Sequence, residues 1–190
     1  NVVTQCNATH KSVPLILSSV SADNHSEIYE RRGIVQLYKD AGFRTLVVSC
    51  QAPNRSLIQM MCDEADQTIY MNGLNDGAML EPLRETIAAD TSDLFVVMHC
   101  YGSHFNYRER YPNQFSQFTP DDDVSISKKN RERMVNAYDN SIIYTDWFIS
   151  EVISTLRQTD ACSAMFYCAD HGEDLYDDRR GRFLHSSPTI

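Results

Sequence analysis

Three short, continuously apolar stretches limit the fold more than any other feature. They are Arg44-Thr45-Leu46-Val47-Val48-Ser49-Cys50, Asp93-Leu94-Phe95-Val96-Val97-Met98-His99-Cys100 and Ala164-Met165-Phe166-Tyr167-Cys168-Ala169. Each reads as a strand covered on both faces. Residues 67–71 make a shorter candidate. Helical patterns fill the intervals. Residues 27–41 carry an imperfect stripe of Ile28, Ile34, Val35, Leu37 and Tyr38, with Gly42 as the stop. Residues 56–62 form a short helix, and residues 81–89 a helix with Pro82 in its first turn. Residues 129–158 form a long helix, with Met134, Tyr138, Ile142, Thr145, Ile149, Val152, Ile153 and Leu156 at three- and four-residue steps. This alternation predicts an α/β fold: a mainly parallel sheet flanked by helices. In such sheets ligands bind beyond the carboxyl ends of the strands.

At 190 residues, with no repeat or linker, the chain is expected to be one domain. Its formal net charge of −9 argues against nucleic acid as a partner. No apolar run approaches the roughly 20 residues that span a bilayer. The opening Asn1-Val2-Val3-Thr4 is neither a start methionine nor a signal peptide, so the chain reads as a piece of something longer. Of six cysteines, Cys50, Cys100 and Cys168 sit at or near strand ends as small buried residues. Cys6, Cys62 and Cys162 lie in expected loops, where an oxidising compartment would allow disulfides.

The polar residues with chemical potential follow the strands. Asp170 and His171 end the third apolar stretch, and a carboxylate beside an imidazole offers two ligands to a divalent metal. The plainer reading makes Asp170 a turn cap and His171 a loop residue. His99 closes the second strand. His104 stands in the long aromatic and basic loop that follows, Tyr101-Gly102-Ser103-His104-Phe105-Asn106-Tyr107-Arg108-Glu109-Arg110-Tyr111-Pro112. Asp121, Asp122 and Asp123 form an acidic run expected to be solvated. Near the start, Thr9 or Ser12 precedes Pro14, which suits a first helical turn. Either hydroxyl is an N-cap or, with the positive helix end behind it, a nucleophile. Thr9, His99, His104, Asp170, His171 and His185 then converge on one sheet edge, and the spacing suits a zinc set.

A family resemblance joins these segments. Cys6-Asn7-Ala8-Thr9-His10-Lys11-Ser12-Val13-Pro14 resembles the nucleophile segment of bacterial phosphoethanolamine transferases, sulfatase-like members of the alkaline phosphatase superfamily. Met98-His99-Cys100-Tyr101-Gly102-Ser103-His104 is similar to their histidine-rich segment, and residues 136–146 to the helix before the metal strand. Ala169-Asp170-His171-Gly172-Glu173 and Leu184-His185-Ser186-Ser187-Pro188 resemble the metal motif and the final histidine segment.

The resemblance implies zinc held by Thr9, Asp170 and His171, with a glutamate upstream of Asn1 as fourth ligand. It implies that Thr9 attacks phosphatidylethanolamine, forming a phosphoethanolamine-threonine intermediate and expelling diacylglycerol. A lipopolysaccharide acceptor, lipid A or core, then takes the group. His104 and His185 are implied to serve the phosphoryl group, its leaving group or a second metal. His10 and Lys11 either contact phosphate or are solvated. The implied setting is the periplasmic face of the inner membrane, with an anchor upstream. Leu15 stands where the family has a disulfide partner for Cys6, and residues 174–183 run about two residues longer than in the family. The fragment is expected to lack the first and last sheet strands, to expose edges that invite association, and to hold metal weakly with three of four ligands. Cys6-Asn7-Ala8-Thr9-His10 does not match the Cys-x-Pro-x-Arg or Ser-x-Pro-x-Arg nucleophile of true sulfatases. A glycerol-phosphate transferase or phosphodiesterase shares the same chemistry, and an inactive binding module shares the scaffold.

Overall fold

The computed structural model describes residues 4–89, 92–177, 179 and 181–185. At its centre lies β1 (Arg44–Ser49), buried from Thr45 onward. On either side run β2 (Gln67–Tyr70) and β3 (Leu94–His99), both parallel to it, in the order β2-β1-β3. The register sets Ser49 beside Tyr70 and beside His99, so three carboxyl ends meet on one edge. Side chains alternate across β1. Val47 joins a core with Val13 and Leu15 of α1 (Thr9–Ile16), Val35 of α2 (Ile34–Asp40) and Met61 of α3 (Leu57–Cys62). Leu46 and Val48 join another, with Leu80 and Leu83 of α4 (Leu80–Ala89) and Phe148 and Val152 of α5 (Arg131–Arg157). Burying each such side chain contributes roughly 1.5–3 kcal/mol, and β1 sends them both ways. That is why the sheet carries helices on both faces, as the alternation in the sequence predicts.

Four expectations need correction. Residues 27–41 are not one helix. A 3-10 segment, Ala22–Tyr29, ends before Gly33, and α2 starts after it. Gly33 is packed so closely that an added Cβ would meet the Glu64 side chain, at Oε2, at 2.5 Å and the Leu17 carbonyl at 3.3 Å. The Leu17 carbonyl accepts from Ile34 N at 2.7 Å, so the chain is drawn sideways there instead of coiling on. Secondly, residues 164–169 form no regular secondary structure, are exposed and pair with no described strand; Phe166 is 86% exposed. Apolar sequence makes a strand only where a neighbour completes the backbone ladder and covers the faces. Thirdly, Thr9 is the first residue of α1 and not its cap. Ala8 holds the cap position without a side-chain bond, and Pro14 lies beyond the first turn, inside the helix. Ser12 does not cap either: it is buried and donates its hydroxyl to the Cys6 carbonyl at 2.9 Å. Fourthly, Asp121 is buried, not solvated. It accepts from Tyr111 Oη at 2.8 Å, Ser116 Oγ at 2.5 Å and Asn140 Nδ2 at 3.0 Å. All six cysteines are free; Cys168 is exposed, not buried, and Cys62 is buried at the end of α3, not in a loop.

The loop after β3 is held at both ends. Asp76, buried before α4, accepts from Tyr101 N at 2.7 Å and Gly102 N at 2.9 Å. Gly102 turns the chain there with φ +57°, which suits a residue without Cβ. At the far end Asn140 of α5, wholly buried, accepts from Gln117 N and Phe118 N and donates to the Phe118 carbonyl, each at 2.9 Å. Beyond α5 the chain ends in a small antiparallel pair, β4 (Asp174–Leu175) with β5 (Phe183–Leu184).

Candidate active site

Thr9 reaches the site because α1 begins there, with its unpaired N–H groups and positive dipole end at the hydroxyl. The preceding segment is tied across to the metal motif: Thr4 Oγ1 lies 2.6 Å from the Asp170 carbonyl oxygen. Thr9 Oγ1 then stands 3.1 Å from His171 Nε2. His171 Nδ1 faces the Gly172 carbonyl at 3.0 Å, and a carbonyl only accepts, so Nδ1 carries the proton. Nε2 is therefore a lone pair, and Thr9 donates to it. Asp170 Oδ1 accepts from His171 N at 3.1 Å, while Oδ2 lies 3.5 Å from His171 Nε2.

Asp170 Oδ2 is buried and makes no hydrogen bond, the single such side-chain atom among the described residues. An unsatisfied buried carboxylate oxygen costs free energy. Zinc donors about 2.0–2.1 Å from a tetrahedral ion stand about 3.3 Å apart. His171 Nε2 stands 3.1 Å from Thr9 Oγ1 and 3.5 Å from Asp170 Oδ2, both near that edge. With Oδ2 left without a hydrogen bond, these donor types suit a zinc ion.

Two further imidazoles gather beside this set. His185 follows β5, and its ring centroid lies 4.4 Å from that of His171 and 6.2 Å from that of His104. Its Nδ1 meets Glu173 Oε1 at 3.1 Å. His104 is exposed, its Nδ1 engaged by the Phe105 carbonyl, its ring edge-on to Tyr101 at 5.5 Å. Thr9, His104 and His185 line one cavity of about 550 Å³, together with Asn7, His10, Gln51, Asn54 and Ser56.

His99 is not in the ring cluster. It is half-buried at the end of β3, with Nδ1 3.2 Å from Ser49 Oγ. Burial lowers its pKa, outweighing the opposing charges of Asp170 and Asp76. His10 lines the cavity, and Lys11 is exposed and does not. Ser186, Ser187 and Pro188 lie outside the described residues. Sequence reading gave no role to Glu173, Tyr107, Asp76 or the wall of Gln51, Asn54 and Ser56. Glu173 stood within the metal motif, but its partners come from the 101–112 loop and from His185, just after β5.

A family model described as Sulfatase matches residues 1–189. The phosphoethanolamine transferase EptA of Escherichia coli K12 is 31% identical over 197 residues, covering 95% of this chain and 35% of the relative. The chain thus spans about a third of the length of the curated relatives it matches. The C-terminal periplasmic domain of phosphoethanolamine transferase EptC from Campylobacter jejuni superposes with a TM-score of 0.88 at 28% identity, covering 99% of this chain and 61% of that one. The corresponding domain from Escherichia coli, solved in complex with Zn, has a TM-score of 0.88 at 22% identity, covering 98% and 56%. Its α/β frame and the match along almost its whole length make the chain a member of the sulfatase family.

Proposed function

We propose that this chain is the catalytic part of a zinc-dependent phosphoethanolamine transferase. The donor is phosphatidylethanolamine, the acceptor a lipopolysaccharide, either lipid A or core, and the setting the periplasmic face of the inner membrane. The observation that carries the reading is His171 Nε2 at zinc-edge spacing from both Thr9 Oγ1 and the Asp170 Oδ2 that makes no hydrogen bond. The named relatives and the periplasmic domains support the substrate class and the setting.

Zinc bound by Asp170, His171 and Thr9 would lower the pKa of the threonine hydroxyl and offset phosphoryl charge. The start of α1 adds its positive end beside Thr9. Thr9 Oγ attacks the donor phosphorus; an Oγ–P bond forms and the P–O bond to glycerol breaks. The proton given up by Thr9 is matched by one taken up by the departing diacylglycerol oxygen. An acceptor oxygen, losing its proton, then attacks the same phosphorus, and Thr9 Oγ leaves and is reprotonated. His104 and His185, on the cavity wall beside Thr9 with Nδ1 engaged, keep Nε2 for proton transfer and for phosphoryl oxygens.

Full-length enzyme mixed with phosphatidylethanolamine alone should accumulate one phosphoethanolamine adduct on Thr9, located by mass spectrometry. Thr9→Ala should lose the adduct and transfer together. Full transfer by Thr9→Ala would end this reading.

A further inference from the structure

His104, His171 and His185 are all anchored through Nδ1, but not by the same chemistry. The first two use the neutral carbonyl of the next residue, Phe105 or Gly172. His185 alone uses a carboxylate, Glu173, at 3.1 Å. Glu173 is held in turn by Tyr107, whose hydroxyl donates to Oε2 at 3.0 Å. Both supports are deep. Tyr107 is 1% exposed and the Glu173 side chain 7%. Tyr107 is wedged edge-on against Phe105 at 5.4 Å and Tyr138 at 5.2 Å. Burial and the neighbouring Glu173 charge push its pKa up, so it stays a donor.

Backbone pairing makes the meeting unavoidable. Asp174 pairs with Leu184, so the residues just outside that pair, Glu173 and His185, emerge side by side. The two Glu173 oxygens both accept hydrogen bonds, whereas Asp170 Oδ2 accepts none. The ligand atoms of His171, Glu173 and His185 do lie within 4.8 Å of one another. Their hydrogen bonding nonetheless favours Asp170 as the ligand and Glu173 as the support.

We infer that Tyr107 and Glu173 form a positioning relay that holds His185 as the Nδ1–H tautomer, with Nε2 kept for the phosphoryl group. This rests on the proposed role of His185. Which ring nitrogen carries the proton is set by the bond the other nitrogen makes. A carboxylate fixed at both oxygens permits one answer only, and such outer partners are commonly worth roughly 10–100-fold in activity.

The test combines ring-nitrogen NMR of the chain with kinetics and zinc content of the full-length enzyme. In the wild type His185 should show the Nδ1–H pattern. Glu173→Ala should lose that pattern and lower kcat roughly 10–100-fold, with KM and zinc content unchanged. Glu173→Gln, which keeps an acceptor for Nδ1–H, should retain the pattern and much of the activity. Tyr107→Phe keeps the ring packing and should move both readouts part of the way, even if Glu173→Ala fails to fold. An unchanged His185 pattern in Glu173→Ala or Tyr107→Phe would overturn the relay. So would a loss of zinc in Glu173→Ala matching that of Asp170→Asn, since Glu173 would then be a ligand. The NMR readout does not depend on turnover, so active Thr9→Ala would remove the transferase reading without altering this result.

Discussion

Asp170 shows how a site is left poised at the expense of the fold. Its Oδ1 is satisfied by the His171 N–H, while Oδ2 is buried with no hydrogen-bond partner. A group left so costs about 1–3 kcal/mol, and a cation at that point would offset the cost. Zinc should therefore raise the Tm of the chain in a concentration-dependent way. Asp170→Asn, which removes the charge and keeps the shape, should leave the metal-free Tm unchanged or higher and abolish the zinc response; scanning calorimetry measures both. A preserved zinc response in that variant would remove Asp170 from the ligand set. Asp170 and His171 were legible as candidate ligands from residue type and adjacency. Glu173 was not, because its meaning depends on two partners that lie 66 and 12 positions away along the chain.

Among the elements, a carboxylate and an amide do much of the joining. Asp66, just before β2, accepts from Thr45 N at 2.9 Å and Thr45 Oγ1 at 3.0 Å at the start of β1. Its other oxygen pairs with Lys39 Nζ at 2.8 Å. The Lys39 bond, with the Thr45 bonds next, holds its pKa down to about 2. A carboxylate with a lowered folded pKa adds stability that is present above its ordinary value and lost as pH falls through the folded one. Acid should therefore weaken the chain between pH 3.8 and about 2. Asp66→Asn should flatten that part of a Tm-against-pH curve; an unchanged slope would show the pair to be screened away, since both side chains are about two-fifths exposed. Asn140 carries more. It is fully buried and serves Gln117, Phe118, Tyr111 and Asp121 at once. Asn140→Ala would leave several buried groups unpaired and should cost about 2–4 kcal/mol in urea unfolding. A loss below 1 kcal/mol would mean that the 111–121 loop is not anchored through α5.

For the whole molecule, the exposed apolar segment at 164–169 matters most. Phe166 and Tyr167 are 86% and 55% exposed on backbone that no described strand pairs. Unpaired apolar strand is a template for association. The isolated chain should form concentration-dependent oligomers in sedimentation velocity, despite a net charge of −9. Phe166→Lys should reduce them; equal association in that variant would place the contact elsewhere. No helix among the described residues is long and apolar enough to cross a membrane.

Period and composition by themselves determined the α/β class, the three paired strands to within a residue or so, the long helix, and the order of the chemical motifs. These are local quantities, because strand burial and helix stripes are written in neighbouring residues. Only the tertiary structure decided that residues 164–169 stay uncovered, that Asp121 is buried under Tyr111 and Asn140, and that Gly33 splits the expected helix. It alone brought Glu173 between Tyr107 and His185. Each of these is a contact between distant segments. A side chain's polarity says what it needs, and only the packing of the other elements says whether that need is met.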